Sequence, residues 1–515
     1  MTIKKILNKM KINKYILIGT MAAMSAGFSS CGSDWLDITN NTQDTVEDYY
    51  TTQDNIWQAV VASYDPLHWF DYANNYTGIN IYPEVLADQC YPGGGDVNDM
   101  NQWKTVFNFA TTATIVLDTN YSNAYSGVKR CIDALQYMHN YWHPATDAEI
   151  AARDRFEAET LALRAFFYNY LWHWWGNIVY YTEPLGGDYL GTQYTADEVY
   201  EFIIADLEKV IADNKLPEKC TGDELGRVTK HMVYMLYAEV VMYQNDQSRK
   251  STALKYMEEI IDSGKYQLVN DFASIWEVSG EWCSESVWEI NYSDYLANRN
   301  WSWGGTCGGT VVPCMILPRG YDCRDGIHDN TGWGFGTVRK SCYDSYDPND
   351  KRRDVSIWQP EAGSYTIGYQ DTGYFLGKYA GKIGGNSGQI ADAVLNYNNN
   401  LRLYRYSEVL LNAAELGSSK AQTYLDMVRQ RAGLESVPAT LDNIIQERAW
   451  EFLGEGKRYW DLIRTGLAKD YLVEDNEIPD GRKGHYTDNK KYLPFPQAEI
   501  DQCRGTLKQN DAYFQ

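Results

Sequence analysis

Apolar residues recur every three or four positions over most of the chain, which is the period of an α-helix with one buried face. Segments with this pattern end at Gly, Pro or Asn, so each is predicted to be a separate helix. They cover residues 51–66, 121–141, 146–174, 196–213, 229–245 and 251–262. Consecutive helix pairs of roughly 35 to 45 residues are typical of tetratricopeptide-like arrays. The chain is therefore predicted to be mostly α.

The pattern changes between about residue 269 and residue 396. Helical periodicity lapses there, Gly becomes frequent, and residues 284–290 alternate in the manner of a short β-strand. A segment of this kind has no core of its own and is expected to lie against the helices. We therefore expect a helical scaffold at about 40–268 and 397–515, with a loop-rich insertion containing short β-strands at about 269–396.

Residues 441–466 are predicted to form one core helix, because their apolar positions keep helical spacing throughout. Glu447, Glu451 and Glu455 lie four apart on one face, where like charges repel each other unless cations approach from elsewhere. We predict a buried ion-pair network between two helices. The candidate cations are Arg429, Arg431, Arg448, Arg458 and Arg464. The alternative is a solvated acidic face.

The same segment carries a recognisable motif. Its residues are Glu447-Arg448, Glu451-Phe452, Glu455-Gly456, Arg458, Trp460-Asp461-Leu462, Arg464 and Gly466. This run resembles the C-terminal signature of the SusD/RagB family, the surface glycan-binding lipoproteins of Bacteroidota. Residues 492–500, followed by Gln509-Asn510, are similar to the terminal motif of that family. The resemblance covers most of residues 31–515 and is weakest at about 72–103 and 291–335.

The resemblance implies a fold and a function. The fold would be a SusD-like domain of tetratricopeptide-like helix pairs. The protein would capture an oligosaccharide or polysaccharide at the cell surface and deliver it to a partner TonB-dependent transporter of the SusC type. No bond would be made or broken, so the resemblance implies a binding protein and not an enzyme.

Residues 1–30 are predicted to be a lipoprotein signal peptide. Lysines at the start precede an apolar stretch, residues 15–28, that is too short to cross a bilayer as a helix. Cys31 follows and resembles a lipobox cysteine, whose thiol is acylated. Asp34 and Asp37 resemble the acidic tag of lipoproteins exported to the outer face of the outer membrane. We expect a lipid-anchored protein facing the cell exterior; the alternative is an ordinary secretory peptide followed by a free cysteine.

Charge and composition narrow the class of ligand. A formal net charge of −23 argues against nucleic acids and other strongly anionic polymers as partners. Trp (17) and Tyr (42) together far outnumber Phe (14), so the aromatic side chains with a polar tip predominate. Such side chains are common at recognition surfaces as well as in cores.

The candidate catalytic residues lack the required separation, and the candidate metal-binding residues lack a sufficient number of ligands. Glu285 and Glu289 on the predicted strand would be about 13 Å apart, which exceeds the separation of about 5 to 9.5 Å between glycosidase carboxyl groups. His139 and His143 have helical spacing, but Pro144 follows at once and no third ligand lies near. We predict no catalytic residue, no metal site and no cofactor.

Five cysteines lie in the predicted insertion. They are Cys283, Cys307, Cys314, Cys323 and Cys342. An oxidising compartment would permit disulfides among them. The alternative is that they are buried apolar side chains.

Aromatic residues in the loops are the candidate ligand contacts. A sugar ring presents an apolar C–H face and a rim of hydroxyl groups, so its site needs flat aromatic platforms beside hydrogen-bonding side chains. The candidates are Trp103 with Asp96, Asn98 and Asn101; Tyr295, Asn298, Trp301 and Trp303; and Trp333 between two glycines. Each tryptophan could instead anchor its loop against the scaffold. The tryptophans at 172, 174, 175, 288, 358 and 460 are predicted to belong to the core.

Two other functions remain open. The protein could capture peptides, as RagB-like relatives do, in a groove that satisfies backbone groups. It could also be a surface glycoside hydrolase, which would require a carboxyl pair in the binding cleft.

Overall fold

The computed structural model describes residues 44–71, 76–187, 190–295, 299–301, 308–386 and 392–513. The chain divides into two compact units, Met1–Tyr49 and Tyr50–Gln515. The described part of the first unit contains one short helix, α1 (Val46–Tyr49). The predicted signal peptide and Cys31 lie outside the described residues.

The second unit is built mainly from α-helices. They are α2 (Gln53–Tyr64), α3 (Ile81–Leu86), α4 (Asn101–Phe107), α5 (Asp118–Asn140), α6 (Asp147–Trp175), α7 (Ala196–Asp213), α8 (Lys230–Gln244), α9 (Lys250–Asp262), α10 (Val312–Ile316), α11 (Lys340–Ser345), α12 (Arg353–Ser356), α13 (Tyr406–Glu415), α14 (Ala421–Ala432), α15 (Leu441–Glu451), α16 (Arg458–Arg464), α17 (Ala468–Tyr471) and α18 (Gln497–Gln502). The long helices pack in chain order, α5 on α6, α6 on α7 and α8 on α9. The prediction of a mostly α fold is confirmed.

Three short antiparallel ribbons complete the fold. Their strands are β1 (Cys90–Gly93), β2 (Ser286–Ile290), β3 (Phe335–Val338), β4 (Ile357–Trp358), β5 (Phe375–Leu376) and β6 (Leu401–Arg405). β1 pairs with β3, β2 with β6, and β4 with β5. The strand predicted at 284–290 is β2, whose five residues are all buried. The β1–β3 and β2–β6 ribbons join segments that are far apart in sequence, whereas β4 and β5 are close neighbours.

Local sequence accounts for the starts of two of the long predicted helices, α6 and α7. Thr146 begins α6 and Thr195 begins α7, and each threonine hydroxyl accepts a hydrogen bond from the backbone N–H three residues on. Glu149 and Glu198 complete reciprocal capping boxes at these positions. The starts of α6 and α7 are thus set by capping residues that can be recognised in the sequence.

The single helix predicted at 441–466 is wrong. The structure breaks it into α15 and α16, with Gly454 and Gly456 between them at φ of +85° and +77°. A Cβ on Gly456 would lie 2.7 Å from the carbonyl oxygen of Ile79 and 2.8 Å from the Cα of Asn80. Only glycine permits both this backbone conformation and this close approach.

The ion-pair network predicted around the glutamates exists, and it is fully buried. Its contacts are Arg352 Nη1 to Glu447 Oε1 (2.6 Å), Arg429 Nη1 to Glu447 Oε2 (2.7 Å), Arg352 Nη1 to Glu451 Oε2 (3.0 Å), Arg405 Nη1 to Glu451 Oε1 (3.0 Å), Arg431 to Glu451, and Lys378 Nζ and Arg405 Nη2 to Glu455 Oε1 (2.6 and 2.7 Å). Three of the candidate cations pair elsewhere: Arg448 with Asp461, Arg458 with Asp88 and Arg464 with Glu415. The main cations, Arg352, Lys378 and Arg405, come from the 350–405 segment.

The C-terminal segment completes the core around the end of α6. Leu493 N–H donates to the carbonyl of Trp174 (2.7 Å), and the indole N–H of Trp175 donates to the carbonyl of Pro494 (3.1 Å). The side chain of Asn510 donates to the carbonyl of Trp175 (3.0 Å). Trp172, Trp174, Trp175 and Trp288 are buried, which confirms their assignment to the core.

The described cysteines are all free thiols, so the disulfides considered among Cys283, Cys314, Cys323 and Cys342 are absent from this part of the chain. Cys314 and Cys342 are buried, in agreement with the alternative interpretation. Cys307 lies outside the described residues. None of the helices in the described ranges has the length and hydropathy that a membrane crossing requires.

Glu84 on α3 should make stability depend on pH. It is fully buried, and burial raises the pKa of its carboxyl group to about 8, although Gly456 N–H donates to Oε1 at 2.7 Å. The folded form therefore holds a proton that the unfolded form releases near pH 4.5. The stabilisation from protonated Glu84 is complete below about pH 4.5 and is lost as the pH rises through about 8.

We expect Glu84→Gln to become progressively more stable than the unsubstituted protein between about pH 5 and pH 8, by on the order of 4 kcal/mol, with no further gain above. Urea unfolding of both proteins at several pH values measures the difference. Parallel stability curves over this range would contradict the raised pKa.

Candidate functional site

The β1–β3 ribbon brings together the two loop regions in which the candidate residues lie. Gly94 N–H, just after β1, donates to the carbonyl of Gly334, just before β3 (2.7 Å). A Cβ on Gly93 would lie 2.3 Å from that same carbonyl oxygen. Glycine is therefore required where the loop after β1 meets the loop that carries Trp333.

Trp301, Trp333 and Tyr76 form a cluster that we call the aromatic patch. The ring centroids of Trp301 and Trp333 are 5.9 Å apart with an angle of 34° between the planes. Tyr76 meets Trp333 edge to face at 5.2 Å. Trp301 is 56% exposed and Trp333 is half-buried. The two tryptophans thus offer adjoining, mutually tilted surfaces to solvent.

A buried ion pair positions Trp301. Arg299 Nη1 lies 2.9 Å from Asp71 Oδ1, and both side chains are buried. Thr310 donates to the other oxygen of Asp71, as does the backbone N–H of Val311 (3.2 Å). The N–H of Trp301 donates to Asp392 Oδ2 (2.9 Å). An exposed indole is therefore held on a backbone that the interior fixes.

Close backbone packing positions Trp333. A Cβ on Gly332 would lie 2.2 Å from the carbonyl oxygen of Pro318, so the chain can pass there only as glycine. Trp333 N–H donates to the carbonyl of Cys314 (3.0 Å), and its own carbonyl accepts from Arg319 Nη1 (3.0 Å). The glycines beside Trp333 are explained by this packing.

Polar groups from the loop after β1 reach the same region. Arg319 Nη1, which holds Trp333, also lies 3.8 Å from Asp99 Oδ2. Asp96 and Asn98 are exposed, and Asn98 N–H donates to Asp96 Oδ1 (2.7 Å). We call Asp96, Asn98, Asp99 and Arg319 the polar rim. It supplies hydrogen-bond donors and acceptors on the side of Trp333 that faces the loop after β1.

Lys104 fixes the loop that carries the polar rim. Its ammonium group donates to the carbonyls of Asp96 (2.7 Å) and Asp99. Burial lowers the pKa of Lys104 to about 8, although the charges of Asp99 and Asp96 favour the protonated form. The partly buried ammonium group of Lys104 thus holds the loop through the backbone carbonyls of both Asp96 and Asp99.

The prediction that Trp103 could be a ligand platform is wrong. Trp103 lies on α4 with no exposed surface, and its ring packs against Tyr82 (5.5 Å) and Phe335 (5.3 Å). Asn101 is exposed, and its carbonyl accepts from Thr105 (2.8 Å). Trp103 instead anchors the base of the rim loop in the core.

Of the remaining candidates, the structure brings Trp301 and Trp333 together and leaves Tyr295 72% exposed. Asn298 and Trp303 lie outside the described residues. Three further groups in the site were missed from the sequence: Tyr76, Arg319 and Asp392. Tyr76 lies within residues 72–103, where the resemblance to the family is weakest, and its partner Trp333 is 257 positions further along the chain. Only the fold brings them together.

The carboxylates considered for catalysis are occupied by structural contacts. Glu285 is buried and pairs with Arg405 and Arg431, and Glu289 is buried beside Arg402. His139 lies 3.4 Å from Glu157, and His143 is exposed. Within the described ranges, no group of three or more His, Cys, Asp or Glu side chains is arranged to hold a metal ion.

A profile of the SusD family matches residues 351–513. The fold is similar to that of surface glycan-binding protein A from Bacteroides thetaiotaomicron in complex with laminarihexaose, with a TM-score of 0.84 and 47% sequence identity over 89% of this chain and all of that one. A laminarin-binding SusD-like protein matches with a TM-score of 0.81 and 29% identity over 90% of this chain and all of that one.

The sequence is also 24% identical to SusD-like protein P25 from Formosa agariphila, over 90% of this chain and 93% of the relative. Since a structure 47% identical is matched along its full length, these similarities extend well beyond the segment that the profile matches. The chain belongs to the SusD family, as its C-terminal motif indicated.

Proposed function

We propose that this protein is a cell-surface glycan-binding lipoprotein that captures an oligosaccharide or polysaccharide on the aromatic patch. The observation that carries the proposal is the pair formed by Trp301 and Trp333, whose tilted rings adjoin at 5.9 Å next to the polar rim. The apolar C–H faces of sugar rings pack on indoles, and the rim can hydrogen-bond the hydroxyl groups.

The ligand class that we propose is a β-1,3-linked glucan of the laminarin kind. Two similar structures are named for laminarihexaose and for laminarin. The tilt of 34° between the indole planes favours a chain that turns between successive sugars over a flat, fully extended one. A neutral glucan is also compatible with the net charge of −23.

A route of uptake is part of the same proposal. We propose that residues 1–30 are removed, that Cys31 carries a lipid anchor in the outer membrane, and that the protein faces the cell exterior. A SusC-like TonB-dependent transporter would receive the glycan. Relatives named as surface glycan-binding proteins support this location.

Native gel electrophoresis through polysaccharides tests the proposal. Protein lacking residues 1–31 should be retarded by laminarin and not by xylan, glycogen or hydroxyethylcellulose, and calorimetry should detect binding of laminarihexaose. No reducing sugar should be released. Retardation by another glycan alone would overturn the proposed ligand class.

The two rival functions give different outcomes. Release of reducing ends from laminarin would indicate a glycoside hydrolase. Binding of peptides without retardation by any glycan would favour a RagB-like peptide carrier. The laminarin-binding relatives make glycan capture the better supported function.

A further inference from the structure

Two arginines are buried close together beneath the β1–β3 ribbon. Arg339 follows β3, and Arg482 lies in the segment after α17; they are 5% and 0% exposed. The Cζ atoms of the two arginines lie 5.7 and 4.4 Å from the centroid of the Phe107 ring. Asp475 Oδ2 lies 3.0 Å from Arg339 Nη1 and accepts from the backbone N–H of Arg482 (3.0 Å). The Arg339 guanidinium therefore pairs with Asp475, whereas Arg482 contacts that carboxylate through its backbone N–H.

Several N–H donors of these two arginines have no hydrogen-bond acceptor among the described residues. Arg482 donates through Nε to the carbonyl of Phe107 (2.9 Å) and through Nη2 to the carbonyls of Leu86 and Ala87 (2.7 and 2.9 Å). Arg482 Nη1 and both Arg339 Nε and Nη2 are shielded from solvent and have no acceptor among the described residues. Buried donors in native proteins almost always have a partner.

The local charges do not balance either. Arg339, Arg458 and Arg482 supply three positive charges, and Asp88 and Asp475 supply two negative charges, an excess of one positive charge. Arg458 binds both oxygens of Asp88 (2.8 and 2.9 Å). The remaining Asp475 oxygen accepts from the hydroxyl of Tyr91 (2.8 Å). Asp475 pairs with Arg339, and the Arg482 guanidinium forms no ion pair with a carboxylate among the described residues.

Other titratable groups near the cluster do not supply the missing charge. Glu477 is exposed and accepts from the backbone N–H of Ser341 (3.2 Å). Burial lowers the pKa of Arg482 to about 9, and the charge of Arg339 lowers it further against the opposing effects of Asp88 and Asp475. A buried cation is stable when an anion compensates it.

We propose that a monovalent anion of the chloride class binds between Arg339 and Arg482, accepting hydrogen bonds from Arg339 Nε and Nη2 and Arg482 Nη1. An ion that only accepts matches a set of groups that only donate. One negative charge matches the local excess, whereas a sulfate or hydrogen phosphate dianion would reverse it. The site is independent of the aromatic patch.

The anion would fasten the C-terminal segment to the ribbon that supports the glycan site. Arg339 N–H donates to the carbonyl of Gln89, next to β1 (2.9 Å). Gln370 accepts from Gly93 N–H (3.1 Å) and donates to the carbonyl of Asp480 (2.6 Å). The ribbon and residues 475–482 are therefore already joined at two points, through Gln370 and through the contacts of Asp475 with Tyr91 and Arg339.

Diffraction from crystals grown in sodium bromide tests the proposal directly. We expect an anomalous peak within about 3.5 Å of Arg339 Nε, Arg339 Nη2 and Arg482 Nη1. Water or no density at this position, with bromide ordered elsewhere, would overturn the proposal.

Thermal unfolding gives a second, independent measurement. Raising chloride from about 1 to about 100 mM at constant ionic strength, with gluconate as the replaced anion, should raise the midpoint by about 2 °C. The shift should disappear in Arg339→Met and persist in Arg324→Met, which removes an exposed arginine paired with Asp322 and Glu361. An equal shift in all three proteins would mean that the effect is not due to this site.

Discussion

Replacing both Trp301 and Trp333 by alanine is expected to weaken laminarihexaose binding by roughly a thousandfold, beyond detection by calorimetry. Covering about 100 Å² of apolar surface on one platform contributes roughly 2.5 kcal/mol, about 70-fold in affinity, before ordering costs are subtracted. The single substitutions should therefore each lose tens of fold. Trp301→Ala should do so with little change in stability, because the indole is already 56% exposed.

Tyr471→Ala is a suitable control, since this aromatic residue on α17 is also exposed (42%) and lies outside the aromatic patch. Its affinity for laminarihexaose should stay within about twofold of the unsubstituted protein. Thermal unfolding of each variant separates lost contacts from lost fold. Unchanged affinity in a folded Trp301→Ala, Trp333→Ala double variant would rule out the aromatic patch as the site.

Replacing Glu451 by alanine is expected to destabilise the protein by about 3 to 5 kcal/mol or more, or to prevent folding. Glu451 receives hydrogen bonds from Arg352, Arg405 and Arg431, and none of these side chains has appreciable exposure. Burial alone would raise the pKa of Glu451, but the charges of the three arginines outweigh it and hold the pKa well below its usual range. Without the carboxylate, these buried cations lose their shared partner.

Asp344→Ala provides the matched control, because Asp344 pairs with Lys340 where both side chains are more than half exposed. Exposed ion pairs contribute little, so this variant should stay within about 1 kcal/mol of the unsubstituted protein. Urea unfolding followed by tryptophan fluorescence measures both effects. Similar midpoints for the two variants would show that the buried network is not a major source of stability.

The helices were predictable because their signals are local. Thr146 and Thr195, with their partner glutamates, mark helix starts, and apolar spacing marks the buried faces. The break at Gly454 and Gly456 was missed because apolar spacing continues through it in the sequence. The need for glycine there arises from Ile79 and Asn80, which lie more than 370 positions earlier.

The candidate site was predictable only in part. Its two tryptophans were found by their polar or glycine-rich neighbours, whereas Trp103 was misassigned for the same reason. Trp103, Val106 and Phe107 share one helical face, and all three are buried; that spacing was the signal for a core position. Arg352 and Arg405 were not found as partners of Glu451, because nothing in their local sequence indicates which distant helix they meet.

The contacts at the end of α6 determine when the chain can finish folding. Trp174 and Trp175 form hydrogen bonds with residues 493–510, and the glutamates of α15 pair with cations from the 350–405 segment. Pairings over such sequence separations form slowly, because loop-closure entropy must be overcome first. A chain that lacks residues 493–515 therefore leaves the carbonyls of Trp174 and Trp175 and the indole N–H of Trp175 without these partners, and we expect the native state to form only once the whole C-terminal segment is available.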